Sequence, residues 1–241
     1  MTDQILFNGN GRILEATFNR SEDNACSDAM AAEFSYQISK AHETADMVLL
    51  RSCGPDFCTG RVRNADAGPP DPEAYIRRDE YDSIFYCYSA IKNCKIPVVA
   101  VIEGRCMGFG TAVAAVCDVT IAARSAQFNI PEMNHNVMPT MVMSALYNRI
   151  SRNAILWMTY TAKFISADQA MSYGIISTIA EDKDLESEVS DFCNILLSRK
   201  RPAIVGLKEY LSSAPYMDDR GALDYARALH SMVNTASAMK N

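Results

Sequence analysis

The chain predicts an α/β fold. Short apolar strand signals alternate with helix-spaced segments along most of its length, the pattern of strands covered by helices. Near the middle, Pro97-Val98-Val99-Ala100-Val101-Ile102 is a continuous β-branched run opened by a proline, the mark of a strand buried on both faces. Gly104, Gly108 and Gly110 follow, and glycine lets the backbone turn tightly and approach a ligand closely. Thr111 to Val116 is apolar on every side, so the helix after this turn should be buried. A buried helix that starts at glycines presents unpaired amide N–H groups at its N-terminus. The stretch from Lys95 to Asp118 is therefore a site for stabilising negative charge. Which charge it holds is the question.

A chain of 241 residues, 49% hydrophobic, can bury a sizeable core and is expected to form one domain, with or without a helical appendage. The net charge of −6 argues against a nucleic-acid or anionic-membrane surface. The longest apolar run falls far short of the ~18 residues a membrane span needs. The start, Met1 to Leu14, lacks the basic and apolar regions of a secretory signal. Eight cysteines, at 26, 53, 58, 87, 94, 106, 117 and 193, form no C-x-x-C pair and have no nearby histidine. Most lie in apolar settings, which favours reduced, buried thiols in a cytoplasmic protein over a disulfide framework or a zinc site. No metal is expected.

In order, Ile5-Leu6-Phe7, the Asn8 to Gly11 cluster and Ile13 to Phe18 read as a β-hairpin whose Asn/Gly turn supplies positive φ. A polar stretch leads to a helix over Asp28 to Glu43 with Met30, Phe34, Ile38 and Ala41 on one face. Met47 to Arg51 is a short apolar strand ended by the turn signal Ser52-Cys53-Gly54-Pro55-Asp56. Phe57-Cys58-Thr59-Gly60-Arg61 and a polar, proline-rich segment to Pro72 follow; that segment is the expected mobile loop. Glu73 to Lys92 has helical spacing, with Ile76, Ile84, Tyr88 and Ile91 as apolar points. After the central strand, turn and helix, Val119 to Ala122 is another strand. Ile130, ahead of Pro131, is biased to extended backbone. Pro139-Thr140 can start a helix running to Ile150. Ser166-x-x-Gln169 has the form of a capping box and Gly174 that of its C-terminal stop. Ile175 to Ile179 reads as a strand, and Leu185 to Ser198, Pro202 to Ser212 and Gly221 to Ala236 as three final helices.

Nucleotide readings of the glycine turn fail on its residues. A P-loop needs a lysine after its last glycine, and none follows Gly108 or Gly110. A dinucleotide fingerprint needs a third glycine or alanine where Val113 stands. A Ser-His-Asp triad has little to draw on, with three histidines (His42, His135, His230) and no G-x-S-x-G elbow.

Several short motifs in order carry a resemblance. They are Phe57-Cys58-Thr59-Gly60, Ile96-Pro97-Val98-Val99-Ala100, Gly108-Phe109-Gly110, Cys117-Asp118, Ala126-Gln127-Phe128 with Pro131-Glu132, and Ile165-Ser166-Ala167 through Gly174-Ile175-Ile176. Over nearly its whole length the chain resembles the crotonase (enoyl-CoA hydratase/isomerase) superfamily. The resemblance implies a spiral core of (ββα)n turns over residues 1–182. It also implies a helical region over 183–241 that assembles trimers or pairs of trimers. It implies acyl-CoA thioester substrates, with coenzyme A entering as part of the substrate and no other cofactor. An enolate at the thioester oxygen would be held by two backbone N–H groups, here those of Arg61 and Phe109. Each such donor is typically worth ~3 kcal/mol in the transition state. Cys58, Thr59, Gly60, Gly108, Ala112 and His135 would line the substrate. The family usually has glycine at 109, and the donor is main chain, so phenylalanine changes the pocket's shape or turn without removing the donor.

Carboxylates decide the chemistry. Hydratases of this family hold a water between two glutamates; the second matches Glu132, and the first falls on Ala112. Water addition needs a base for the water and an acid for the α-carbon, and alanine can be neither. A 1,3 proton shift needs one carboxylate only, so double-bond isomerisation by Glu132 is favoured over hydration or hydrolysis with another acid/base such as His135. The other class of reading is a crotonase-fold binding or assembly subunit without catalysis, which Ala112 and Phe109 would suit. Without the resemblance, Glu132 reads as a loop carboxylate bonded to amides. Asp118 reads as structural, Glu103 as a surface or interface residue, and Tyr81, Phe85, Tyr86 and Tyr88 as core or acyl-pocket lining. Arg61 and Arg63 either meet CoA phosphates or a substrate carboxylate, or are solvated. Val62 replaces a frequent family aspartate, implying a loop supported differently.

Overall fold

A computed structural model describes residues 4–20, 23–62, 73, 75–79 and 81–240. The hairpin forms as expected: β1 (Ile5–Asn10) pairs antiparallel with β2 (Ile13–Phe18), and Gly11 turns at φ +61°. Helix α1 (Asp28–Lys40) starts at Ser27, whose hydroxyl accepts the Met30 N–H at 3.1 Å, and buries Met30, Phe34 and Ile38. Then come β3 (Met47–Ser52), α2 (Asp82–Asn93), β4 (Val98–Ile102), β5 (Arg105–Met107), α3 (Phe109–Val116), β6 (Val119–Ala123) and β7 (Gln127–Asn129). The rest is α4 (Thr140–Leu146), α5 (Arg152–Thr161), β8 (Ile165–Ser166), α6 (Ala167–Tyr173), β9 (Thr178–Ala180), α7 (Leu185–Ser198), α8 (Arg201–Ser213) and α9 (Asp219–Asn234).

Two sheets organise the core. The larger runs β1-β2-β3-β4-β6-β9, parallel from β2 onward, and the smaller runs β5-β7-β8. Two successive turns of the chain lay one strand in the large sheet, round a corner and lay a short strand in the small one. Thus β4 leads to β5 and then α3, and β6 leads to β7. Single bridges, Cys58 to Cys106 and Cys26 to Arg61, carry the second layer back to the earlier turns. This is the (ββα) spiral the resemblance implies.

The central strand is buried on both faces, as its sequence demands. Val98, Ala100 and Ile102 face the core that lies under α1, α2, α3 and α4. Val99 and Val101 face a second cluster with Met47, Leu49, Ile121 and the Leu185, Val189 and Cys193 face of α7. Fully burying a Val or Ile is worth ~1.5–3 kcal/mol, so β4 anchors both layers. Helix α3 is buried at every residue. Arg149 covers its C-terminal end, donating to the carbonyls of Ala115 at 2.9 Å and Cys117 at 2.8 Å. Asp118 is structural, as read: its carboxylate accepts from the Val98 N–H at 2.7 Å and from Lys208 on α8 at 2.6 Å. Glu103 is exposed. The cysteines are free, and all but Cys53 are buried.

Several boundaries differ from the sequence expectation. The helix expected over Glu73 to Lys92 begins, among the described residues, at Asp82 after a 3-10 turn over Arg77–Asp79. The helix expected to reach Ile150 stops at Leu146, and Ser151 caps a new one, α5, which periodicity alone missed. The last strand is shifted to Thr178–Ala180, because Gly174 closes α6 in a left-handed turn and Ile175 and Ile176 go to the core. The three-residue strands β5 and β7 are too short to show a period of two, and their pairing comes from the corners that precede them. The loop expected to be mobile lies mostly outside the described residues, as does Arg63. The capping box is present, with Ser166 and Gln169 bonded reciprocally at 3.3 and 3.2 Å.

Candidate active site

The site is built where α3 begins. Gly108 takes φ +49°, a conformation that leaves Phe109 with ordinary backbone as first residue of the helix. The turn is held from behind: Gly108 N–H donates to Asn129 at 3.0 Å, and the Thr111 hydroxyl lies 2.7 Å from the Cys106 carbonyl and 2.9 Å from that of Asn129. As first helical residue, Phe109 has an N–H with no intrahelical acceptor. Its side chain, 3% exposed, packs into the core against Tyr88 with ring centroids 5.6 Å apart. Phenylalanine at 109 is therefore taken up by the core, and the turn at Gly108 forms with it in place.

The second amide comes from the corner after β3. Cys58 pairs with β5: its N–H donates to Arg105 at 3.2 Å and its carbonyl accepts from Met107 at 2.8 Å. Gly60 then turns at φ +120°, and the chain meets Cys26, whose N–H donates to Gly60 at 2.8 Å and whose carbonyl accepts from Val62 at 2.9 Å. In a parallel bridge of this register the N–H of the middle residue points away from the partner strand. Arg61 is that residue, so its amide faces away from Cys26. Gly110 brings helix and loop together, since a Cβ there would stand 2.7 Å from the Cys58 carbonyl oxygen. Thr59, half-buried, is tied by its N–H to the Asp23 carbonyl at 3.0 Å. The Cys58 thiol is fully buried, which pushes it up to about 12, so it stays neutral and packs. The Arg61 guanidinium pairs with Asp28 at 2.8 Å and lies over the Tyr81 ring at 5.1 Å.

Glu132 opens a 3-10 turn (Glu132–His135) just after β7, and its side chain folds back against Gly108. A Cβ on Gly108 would come within 2.5 Å of Glu132 Oε1. Oε2 is buried and has no hydrogen-bond partner among the described residues. Burial pushes the carboxyl above its ordinary range, opposed only by its own backbone N–H. Ala112, 0% exposed, sits one turn into α3. His135 stands at the far end of the 3-10 turn with its ring exposed, and among the described residues no hydrogen bond joins it to Glu132. So Cys58, Thr59, Gly60, Arg61, Gly108, Phe109, Ala112 and Glu132 are gathered around one helix end, and His135 lies at its rim. The residue least legible in sequence is Tyr88, whose buried hydroxyl lacks a partner among the described residues. No metal-ligating cluster forms among the described residues, and no helix there is long and apolar enough to cross a membrane.

A two-layer spiral with a glutamate-bearing loop over a buried helix N-terminus defines the class, the crotonase fold. The chain belongs to the enoyl-CoA hydratase/isomerase family, whose model matches residues 8–240. It is 25% identical over 220 residues to the mitochondrial enoyl-CoA hydratase domain-containing protein 3 of Rattus norvegicus, covering 86% of this chain and 71% of that protein. For the Mus musculus counterpart the chain spans 62% of the relative's length. It is also 25% identical over 244 residues to the mitochondrial Delta(3,5)-Delta(2,4)-dienoyl-CoA isomerase of Rattus norvegicus, covering 95% of this chain and 75% of that one. In structure it is similar to an enoyl-CoA hydratase-type protein from Thermobifida fusca YX in complex with CoA, with a TM-score of 0.86 and 21% identity over 95% of this chain and 92% of that one.

Proposed function

We propose that the protein is an isomerase that shifts a carbon–carbon double bond in an acyl-CoA thioester, with Glu132 as the proton shuttle. The observation that carries this reading is the single carboxylate: Glu132 is desolvated against Gly108, and Ala112 occupies the helix position from which a second would act. The ionised Glu132 takes the proton from C2 of a 3-enoyl thioester. The C–H electron pair moves into C1–C2, and the carbonyl electrons move onto oxygen, where the Arg61 and Phe109 amides receive the charge. As the carbonyl re-forms, a double bond appears between C2 and C3, and C4 takes the proton back from Glu132. Atoms and electrons balance with no further reactant.

Burial serves this chemistry, because a shuttle must both lose and accept a proton near neutral pH, and an ordinary carboxylate is too weak a base. Support for an acyl-CoA substrate comes from the family and from the CoA bound by the Thermobifida fusca relative. The proposal extends to assembly as a homotrimer or dimer of trimers through the helical region 183–241.

Incubation with 3-enoyl-CoA and with 2-enoyl-CoA, followed by mass spectrometry, tests it. The expected product is the positional isomer, formed by the parent and lost in Glu132→Gln. Conversion that survives Glu132→Gln unchanged would overturn the shuttle. Water addition to 2-enoyl-CoA would give the reaction to a second acid/base, and tight CoA-ester binding without conversion would make the chain a binding subunit.

A further inference from the structure

Tyr88 on α2 stacks face to face on Phe109, with ring centroids 5.6 Å apart and planes at 28°. Phe109 carries the helix-end amide of the site, and Ala112 lies on the same helix. The tyrosine is 2% exposed, and its hydroxyl is buried without a hydrogen-bond partner among the described residues. Glu132 Oε2 is in the same condition. Burial is the main cause that pushes the phenol well upward, followed by Cys87, Cys26, Glu132 and Cys58, so the group stays a neutral donor. The stack on Phe109 is what places the tyrosine beside the helix end, and its hydroxyl is bonded neither to Glu132 nor to the loop that bears the Arg61 amide.

Nothing in the packing requires that oxygen. Phenylalanine would make the same stack on Phe109 and would avoid burying an unpaired polar group. A hydrocarbon acyl chain entering here would leave the hydroxyl unpaired, whereas an acyl group with its own oxygen would supply an acceptor. A site built to hydrogen-bond one substrate rejects the analogue that lacks the partner far more strongly than an apolar wall rejects an extra methylene.

We propose that Tyr88 is a specificity residue whose hydroxyl donates a hydrogen bond to an oxygen in the acyl portion of the substrate. The protein then takes thioesters with keto, hydroxy or carboxylate acyl groups in preference to plain hydrocarbon chains. The proposal deepens the function proposed above and rests on it for the location of the acyl group.

Titration calorimetry with unreactive saturated thioesters separates the two. The probes are hexanoyl-CoA, its 3-oxo, 4-oxo and 5-oxo forms, and adipoyl-CoA, each against the parent and Tyr88→Phe. At least one oxygenated probe is expected to bind the parent ~10- to 100-fold more tightly than hexanoyl-CoA, and Tyr88→Phe collapses that preference. Equal binding of all probes by the parent overturns the proposal, as does a preference that persists in Tyr88→Phe. Turnover of 3-enoyl-CoA is followed in parallel. Preference without turnover sinks the isomerase reading and keeps the Tyr88 assignment, and turnover without preference does the reverse. Removing an unpaired hydroxyl should leave Tm at or above that of the parent. A clear drop would mean that the hydroxyl is bonded in the free protein and would remove the premise.

Discussion

Two carboxylates mark two corners of the same spiral, and they are treated in opposite ways. Asp56, at the corner after β3, is 5% exposed and saturated with donors: the Arg105 backbone N–H at 2.8 Å, and its guanidinium at 2.6, 3.0 and 3.1 Å. Those bonds hold its carboxyl below the usual range. Glu132, at the mouth of α3, has a buried oxygen with no partner among the described residues, and burial pushes it upward. Each lies against a glycine with positive φ. A Cβ on Gly104 would stand 1.8 Å from the backbone oxygen of Pro55, whereas one on Gly108 would meet only the tip of the Glu132 side chain at 2.5 Å. Burial by itself thus settles nothing about a carboxylate. The number of donors that face it decides whether it locks a corner or stays available for a proton.

Substitutions can break this contrast, the strongest at the mouth of α3. Glu132→Gln should lower isomerisation of 3-enoyl-CoA by ~10²- to 10⁴-fold, the range of general acid–base catalysis, while Asp56→Asn leaves kcat within a few-fold; stopped assays with product analysis measure both. Gly104→Ala should cost ~3 kcal/mol or more, because the clash is with backbone and the φ is unfavourable for any other residue; its Tm or soluble yield reports this. Gly108→Ala displaces only a side chain, though its φ of +49° strains alanine as well, so it should cost ~1–3 kcal/mol in stability and ~10²-fold in rate. An unfolded Gly108→Ala would show that the two glycines do the same job.

Smaller effects sharpen the comparison through pH. Asp56→Asn should cost ~2 kcal/mol at neutral pH. The folded carboxyl lies below its unfolded value, so its contribution is present above the unfolded value and is lost as pH falls through the folded one. The penalty of the substitution should fade in acid denaturation. Glu132 has the opposite sign. Its folded carboxyl lies above its unfolded value, so the cost of ionising it in place is absent below the unfolded value and complete above the folded one. Glu132→Gln should therefore raise Tm slightly at neutral pH and not at acid pH, as pH-resolved melting would show. The acid limb of kcat/KM should also fall above the ordinary glutamate range, because only the ionised shuttle can take the first proton.

Much of this was legible in the residues. The apolar run Val98 to Ile102 forecast a strand covered on both sides, and the structure divides its side chains between two cores. Gly108-Phe109-Gly110 forecast a buried helix end, and the family resemblance, rather than any local pattern, implied Glu132 beside it with no second carboxylate at Ala112. The second sheet was hidden because strands of three residues carry too little periodicity, and α5 because the break at Tyr147 to Ile150 contains neither glycine nor proline. Asp56 read as turn punctuation, since its partner Arg105 is 49 residues away.

The sequence by itself determined the α/β class, the glycine-led helix N-terminus and the inventory of groups available to the site, because these follow from local pattern and residue type. Only the tertiary structure decided which of those groups are satisfied. Donors converge on Asp56 from the adjoining spiral turn and are withheld from Glu132 Oε2 and the Tyr88 hydroxyl among the described residues. Long-range packing sets how many partners each buried polar atom meets, and local pattern carries no record of that number.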